Sequence, residues 1–223
     1  EANSHPKGPV YVGLTSNALE GSAEMNIFPS GKVRNAMRPD LTAIDEAASL
    51  LLASRSPLML VGDRVSDDGA VDQAVDLAEL LALPVWQSRG GEVAFPTTHP
   101  QFFGNHSLRV AAHRTLLQSV DLVLAVGMDV FAELFYWGDV VLSSDTKLIH
   151  IDHIPGRVGK SEPTDVGIVS HCGMALEELV QAVRSRLSRG TERALKTRCE
   201  EVKRNAARNR TSYEDSVVAK WGS

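Results

Sequence analysis

The sequence predicts an α/β fold in which a parallel sheet of five or six strands carries helices on both faces. Short apolar runs end at Gly or Asp, as in Asp121-Leu-Val-Leu-Ala-Val-Gly127 and Lys147-Leu-Ile-His-Ile-Asp152. Strands of parallel sheets are apolar throughout because both of their faces are buried. The runs alternate with segments of helical periodicity, which favours strand, helix, strand units with right-handed crossovers.

Each predicted element follows from its own local pattern. Asp40 is a suitable N-cap for a first helix, in which Leu41 and Ile44 begin the helical spacing. Asp67 or Asp68 would cap a second helix. The predicted strands are residues 57–62, 83–86, 121–126, 147–151 and 165–169, the further helices are residues 107–118, 130–137 and 176–187, and residues 87–104 are a predicted loop.

The chain divides into three predicted segments. Residues 1–39 should contain the end of a preceding domain, with a strand over residues 9–14, followed by a linker without periodicity. Residues 40–188 should form a central domain. Residues 189–223 are predicted to form a helix. Its basic residues are interleaved with acidic ones, which favours a solvated tethering helix over a nucleic-acid-binding arm.

Composition excludes several classes of function. The chain has 223 residues, a net charge of -5 and a pI of about 5.8, so nothing attracts it generally to nucleic acid or anionic lipid. No apolar stretch approaches the ~20 residues that span a bilayer. The start of the chain lacks a basic or apolar leader, so a cytoplasmic location is expected. Cys172 and Cys199 have no paired spacing and predict free thiols rather than a disulfide or metal site.

Glycines and polar residues follow four of the predicted strands. The carboxyl ends of parallel strands meet at one edge of the sheet, where ligands of open α/β folds bind. The candidate cofactor-binding residues are Gly62, Asp63, Arg64, Arg89, Gly127, Asp129 and Asp152. They predict a nucleotide-sized crevice at that edge without identifying its ligand.

Two of these residues have a defined role in the prediction. Arg64 could pair with a phosphate, and Asp152 could accept hydrogen bonds from ribose hydroxyls. Each has a structural alternative, since Arg64 could belong to a surface turn with Asp63, and Asp152 could cap the turn at Pro155. None of the candidates forms a set of nucleophile, base and orienting group, so no catalytic residue is predicted.

Three histidines, His99, His106 and His113, occur at seven-residue spacing and raise the question of a metal site. A predicted loop and a helix separate them, and no Cys or carboxylate joins them at ligand spacing. We therefore expect surface or hydrogen-bonded histidines and no metal.

A series of short motifs runs in order along residues 8–188. The motifs are Gly8-Pro9-Val-Tyr-Val, Pro57-Leu-Met-Leu-Val-Gly62, Leu83-Pro84-Val85, Phe95-Pro96, His99-Pro100, Gly104, Asp121-Leu-Val-Leu-Ala-Val-Gly127 and Ile149-His-Ile-Asp152 with Pro155 and Gly159-Lys160. In this order they resemble the central domain of thiamine diphosphate-dependent enzymes, most closely the acetolactate synthase-like and benzoylformate decarboxylase-like members. The resemblance implies a Rossmann-like domain similar to the deoxyhypusine synthase-like NAD/FAD-binding fold.

The resemblance also implies a parent enzyme with three α/β domains. This chain would be the central one, and its partners would be the pyrimidine-binding and diphosphate-binding domains of the same parent, a homodimer or homotetramer. Those domains would hold thiamine diphosphate and magnesium, and the family's Asn-Asn diphosphate motif is absent from this sequence. The fragment is therefore expected to be inert, while the parent would decarboxylate a 2-keto acid or join its acyl carbanion equivalent to a second carbonyl.

Relatives differ in what their central domain binds, which is FAD in some, ADP in others and nothing in several. Gly127-Met-Asp-Val-Phe131 stands where the flavin-binding synthases carry Arg-Phe-Asp-Asp-Arg, which argues against FAD and leaves ADP open. An alternative function is a free-standing FAD- or ADP-binding module of the electron-transfer flavoprotein type. A third is a domain that serves only subunit assembly.

Overall fold

Six parallel strands form one sheet. The computed structural model describes residues 2, 8–29, 31, 36–88, 92–131 and 140–221, and the chain divides into two compact units, Glu1–Ala36 and Met37–Ser223. The strands, all in the second unit, are β1 (Pro57–Val61), β2 (Val85–Ser88), β3 (Phe102–His106), β4 (Leu122–Val126), β5 (Lys147–Asp152) and β6 (Val166–Val169). Their order is β3-β2-β1-β4-β5-β6, and every pairing is parallel, which confirms the predicted fold class.

Seven helices are described. They are α1 (Ser16–Glu20), α2 (Leu41–Ala53), α3 (Asp63–Asp67), α4 (Val71–Leu81), α5 (Ala111–Ser119), α6 (Cys172–Arg184) and α7 (Arg189–Trp221). The start of α2 is as predicted, because the Asp40 side chain accepts a hydrogen bond of 2.8 Å from the Thr42 amide. None of the described helices combines the length and the apolar content that crossing a bilayer requires.

The core has two parts, one on each face of the sheet. Met59 and Val61 of β1 pack in the part that also contains buried residues of α2, α4 and α6. Leu58 and Leu60 point the other way and pack in the part that contains Leu117 of α5. Successive side chains of a strand alternate between faces, so an apolar run of five residues serves both parts. Each fully buried Leu contributes about 2 kcal/mol to folding.

The strand order reverses between β1 and β4. From β1 the chain proceeds outward through β2 to β3, and it then returns to the centre to form β4, β5 and β6 on the other side. In open α/β sheets, the carboxyl ends of the two strands at such a reversal flank a crevice where ligands bind. The fold therefore places the predicted residues after β1, β4 and β5 at this crevice.

Two of the differences between the prediction and the structure concern strands. β3 was not predicted and overlaps the end of the predicted loop. Gly104 with φ 109° and a register shift beside Val85 make it an irregular edge strand without the usual apolar pattern. Residues 9–14 form no strand, and Tyr11 is 94% exposed. A strand needs a neighbour for its backbone groups, and local apolar sequence does not supply one. The helix predicted at residues 130–137 falls mainly outside the described residues.

Candidate functional site

A buried ion pair between Arg64 and Asp152 joins the carboxyl ends of β1 and β5. Arg64 Nε donates to both Asp152 carboxylate oxygens, at 3.0 and 2.8 Å, and Arg64 Nη2 lies 2.7 Å from Oδ2. The Asp152 side chain is 0% exposed. Its Oδ1 also accepts from the Ile154 amide at 2.9 Å. Asp152 therefore caps the turn that follows β5 and holds the Arg64 guanidinium at the same time.

Asp129, which follows β4, extends this network towards solvent. Arg64 Nη2 donates to Asp129 Oδ1 at 2.9 Å, and Arg157 Nη1 lies 3.1 Å from Asp129 Oδ2. The Asp129 side chain is 32% exposed. Burial lowers the pKa of Arg64, but its hydrogen bonds to Asp152 and Asp129 and their negative charges outweigh burial and raise that pKa. Arg64 is therefore a fixed cation at the centre of the edge.

His150 lies beneath this network and is bonded at both ring nitrogens. Its Nε2 lies 3.0 Å from the Met128 carbonyl oxygen, and the Gly159 amide donates to Nδ1 at 3.4 Å. A carbonyl oxygen only accepts, so these partners assign the proton to Nε2 and leave the imidazole neutral. Burial lowers the pKa of His150 and outweighs the opposing effects of the Met128 carbonyl and Asp152. The ring thus ties the loops after β4 and β5 together without adding charge.

Two glycines let the backbones at the ends of β1 and β4 touch. A Cβ on Gly62 would lie 2.5 Å from the Met128 Cβ and 2.6 Å from the Gly127 carbonyl oxygen. A Cβ on Gly127, which has φ 61°, would lie 2.6 Å from the Val65 nitrogen. The Arg64 amide donates to the Gly127 carbonyl at 3.1 Å. The glycines therefore bring the two loops into contact and narrow the crevice between them.

The structure brings five of the predicted site residues together, namely Gly62, Arg64, Gly127, Asp129 and Asp152. Asp63 begins α3, and its Oδ1 accepts from the Glu92 amide at 3.2 Å. Arg89 lies outside the described residues. Arg157 was not predicted, although the sequence shows a basic residue in the loop that follows Asp152. The arrangement can hold an anion between Arg64 and Arg157, because both guanidinium groups reach the same carboxylate.

The histidines at seven-residue spacing separate into two environments. The rings of His106 and His113 stack with centroids 5.4 Å apart, and Trp86 lies 4.5 Å from His113. Burial, and then the neighbouring His113, lowers the pKa of His106 to about 4. His99 instead has its Nε2 3.3 Å from Glu79 Oε1. His106 and His113 are therefore stacked side chains, and His99 is a hydrogen-bonded one.

A surface cavity of about 690 Å³ lies at the opposite edge of the sheet, at the amino ends of β5 and β6. Its lining includes Asp45, Glu46 and Asp165 beside a single cation, Lys147, and Lys147 Nζ is already paired with Asp165 at 2.8 Å. An acidic lining disfavours anionic ligands. The carboxyl edge is therefore the better candidate for a nucleotide, although it is the more tightly packed of the two.

The fold and the carboxyl edge define a Rossmann-like α/β domain with an ion-paired crevice where the strand order reverses. A model of the thiamine pyrophosphate enzyme central domain matches residues 44–179. The chain belongs to this family, as its ordered motifs indicated. The family implies thiamine diphosphate as the cofactor of the whole enzyme, and the match supports this origin over the electron-transfer flavoprotein alternative.

The relatives are similar over most of this chain but are much longer. Acetolactate synthase of Mycobacterium bovis is 29% identical over 194 residues, which cover 85% of this chain and 31% of that protein. Benzoylformate decarboxylase of Pseudomonas aeruginosa is 30% identical over 187 residues, covering 82% of this chain and 35% of that protein. The solved thiamine diphosphate-dependent 4-hydroxybenzoylformate decarboxylase of Rhodococcus jostii RHA1 is 30% identical with a TM-score of 0.62. The similarity covers 69% of this chain and 29% of that protein. The chain thus spans about a third of the length of its curated relatives.

Proposed function

We propose that this chain is the non-catalytic central domain of an enzyme that uses thiamine diphosphate to decarboxylate a 2-keto acid or to transfer the resulting acyl group to a second carbonyl. The match of residues 44–179 to the central-domain model carries the proposal. Both reaction types are included because the relatives comprise an acetolactate synthase and a benzoylformate decarboxylase.

The proposed parent has a domain on each side of this one. Residues 1–39 would complete the pyrimidine-binding domain and link it to the central domain, residues 40–188. Residues 189–223, mainly the helix α7, would lead towards the diphosphate-binding domain. Relatives about three times as long leave room for two further domains of similar size. The parent would be a homodimer or homotetramer in the cytoplasm, a location with which the two free thiols agree.

Inertness of the isolated chain is supported by the groups at its crevice. Arg64, Asp129 and Asp152 are engaged with one another, and both ring nitrogens of His150 are bonded to backbone groups. None of these groups is poised as a nucleophile or general base. Thiamine diphosphate and magnesium would bind to the flanking domains, where the thiazolium ring accepts the electron pair released by decarboxylation.

An activity comparison tests this proposal. The present chain and a longer chain with both flanking domains would be assayed with thiamine diphosphate and magnesium, using benzoylformate and pyruvate and following carbon dioxide and acetolactate. We expect no turnover and no thiamine diphosphate binding for the present chain, and turnover by the longer one. Turnover by the present chain would refute its inertness, and a longer chain that leaves a panel of 2-keto acids unchanged would refute the enzymatic assignment.

An adenine nucleotide site at the carboxyl edge is a second proposed function, favoured by one observation. Arg64 and Arg157 both contact the partly exposed Asp129 carboxylate. A phosphate offers the same bidentate acceptor geometry and could replace that carboxylate. Asp152 would then act by holding Arg64 in place. ADP suits the site better than FAD, because residues 127–131 lack the run that the flavin-binding synthases carry.

Calorimetric titration with ADP, FAD, NAD and coenzyme A tests the nucleotide site. Asp129→Asn removes the competing charge and should tighten ADP binding by about tenfold, or ~1.4 kcal/mol. Arg157→Ala should weaken binding. Arg186→Ala is the matched control, because Arg186 pairs with Asp45 on a surface away from the crevice residues and should leave affinity unchanged. If none of the four ligands released or absorbed heat on titration, the nucleotide site would be refuted and the domain would be a spacer.

A further inference from the structure

Three metal-ligating side chains from distant parts of the sequence meet beside the ion-paired crevice. Asp68 follows α3, His153 follows β5, and Cys172 is the first residue of α6. One ligand atom of each, a carboxylate oxygen, an imidazole nitrogen and the thiol sulfur, all lie within 4.8 Å of one another. None of the three is used by the ion pairs of Arg64, Asp129 and Asp152 that form the candidate nucleotide site.

The cluster is shielded from solvent. The side chains of Asp68 and His153 are 0% and 6% exposed, and Cys172 is 0% exposed. The carboxylate of Asp68 and the thiol of Cys172 therefore share a site with almost no access to solvent. A divalent cation would balance the Asp68 carboxylate and a Cys172 thiolate to give a neutral buried group, which removes most of the cost of burying charge.

Asp68 and His153 could bind one metal ion together after a small rearrangement. Asp68 Oδ2 accepts from the Cys172 amide at 2.6 Å and so secures the start of α6. The other oxygen, Oδ1, lies 2.9 Å from His153 Nδ1. Ligand atoms around tetrahedral zinc are ~3.3 to 3.6 Å apart, so Oδ1 and Nδ1 would need to separate by roughly half an ångström. The 4.8 Å spread is small enough for the thiol to close by a side-chain rotation.

His171 lies beside the cluster and could supply a fourth ligand atom. Its Nδ1 lies 3.9 Å from Asp68 Oδ2, and its side chain is 22% exposed. It directly precedes Cys172, so a small movement of the ring would open the cluster to solvent and then bring Nδ1 to the metal. Carboxylate, imidazole and thiolate together are the ligand types that zinc accepts in tetrahedral sites.

We propose that Asp68, His153 and Cys172 bind one zinc ion, with His171 in reach of the fourth position. On binding, the Cys172 sulfur–hydrogen bond is replaced by a sulfur–zinc bond and the proton leaves to solvent. The three residues follow α3, follow β5 and begin α6, so the metal would cross-link three elements beside the crevice and stabilise the carboxyl edge. The alternative is that Asp68 caps α6 and contacts His153 without any metal.

Cobalt substitution separates these alternatives. The chain, free of any histidine tag, would be stripped with chelator and titrated with Co²⁺ under reducing conditions. We expect one equivalent to bind with the intense visible bands of tetrahedral cobalt and a thiolate-to-cobalt charge-transfer band in the near ultraviolet. Zinc should displace the cobalt and raise the melting temperature. A chain that binds no equivalent of Co²⁺ or Zn²⁺, or that binds cobalt without the charge-transfer band, would overturn the proposal.

Two serine variants locate the ligand, because the chain has only two cysteines. Cys172→Ser should abolish the charge-transfer band and weaken zinc binding by more than the ~10-fold to 100-fold typical of losing an outer-shell partner. Cys199→Ser is the matched control and should leave both unchanged, because Cys199 lies in α7. Should Cys172→Ser fail to fold, His153→Gln serves as the second variant and must lower zinc affinity. Retention of the band in a folded Cys172→Ser, or unchanged affinity in His153→Gln, would overturn the assignment.

Discussion

Arg64 and Asp152 lie 88 residues apart in the sequence, yet the guanidinium of one donates to both carboxylate oxygens of the other at the carboxyl edge of the sheet. The pair connects the helix after β1 to the last residue of β5 across the intervening strand β4. Asp152 has no exposed surface, so its charge depends on Arg64 for compensation. The crevice residues are therefore coupled to the stability of the fold.

Removal of Arg64 should destabilise the chain strongly. Arg64→Ala leaves the Asp152 carboxylate buried without its cation, which costs about 3 to 5 kcal/mol in the free energy of unfolding. Urea denaturation followed by circular dichroism measures this loss in the free energy of unfolding. Asp152→Asn added to Arg64→Ala should restore part of the loss, because the uncompensated charge is gone. If Arg64→Ala lost no more free energy of unfolding than a variant of a surface ion pair, Asp152 would not depend on Arg64 for charge compensation.

Arg186→Ala supplies that surface reference. Arg186 Nη2 lies 2.7 Å from Asp45 Oδ1, so the distance matches the Arg64–Asp152 contact, but the two side chains are 35% and 63% exposed. Exposed ion pairs contribute at most about 1 kcal/mol. The Arg64 variant should therefore lose several times more stability than the Arg186 variant.

Gly127 and Gly69 have nearly the same backbone φ angle but differ in the space around them. Their φ angles are 61° and 62°, but a Cβ on Gly69 meets nothing within 4 Å, whereas one on Gly127 lies 2.6 Å from the Val65 nitrogen. Gly69→Ala should therefore cost only the strain of the left-handed region, about 1 to 2 kcal/mol. Gly127→Ala should cost distinctly more, because backbone atoms must move. Equal melting temperatures for the two variants would show that the loop relaxes freely.

Stability should fall in mild acid because of His106. Burial, and then His113, lowers its pKa to about 4 in the folded chain, against about 6.5 when unfolded. Between these values the unfolded chain binds more protons, so the free energy of unfolding decreases as the pH falls, by about 3 kcal/mol in total. Urea denaturation across this range, on the native chain and on His106→Gln, measures the effect. The free energy of unfolding of the variant should depend less steeply on pH. An unchanged slope would exclude His106 as the source of the pH dependence.

The two cysteines should differ in reactivity in the metal-free chain. Burial raises the pKa of the Cys172 thiol, whereas Cys199 is half-buried on α7. We expect a disulfide reagent to modify one thiol per native chain and two after denaturation. Cys199→Ser should remove nearly all of the native reaction. Rapid modification of Cys172 in that folded variant would show that α6 opens locally.

The sheet strands β1, β2, β4, β5 and β6 were predictable because each carries its own apolar run. The start of α2 at Asp40 was predictable for a similar reason, since an N-cap acts on the amide two residues further on. β3 was missed because an irregular edge strand has no such run. Asp67 or Asp68 was expected to cap α4, but Asp68 accepts a hydrogen bond from the Cys172 amide at the start of α6, 104 residues away. Local capping rules do not contain that partner.

The sequence by itself determined the class of fold, the family and five of the residues that lie at the carboxyl edge, because apolar periodicity and ordered motifs are properties of neighbouring residues. Only the tertiary structure decided what those residues do there. Arg64 could have faced a phosphate or a carboxylate, and parallel crossovers placed it against Asp152 and Asp129. The same crossovers gathered Asp68, His153 and Cys172. Contacts of this kind depend on how distant strands align, which no local pattern encodes.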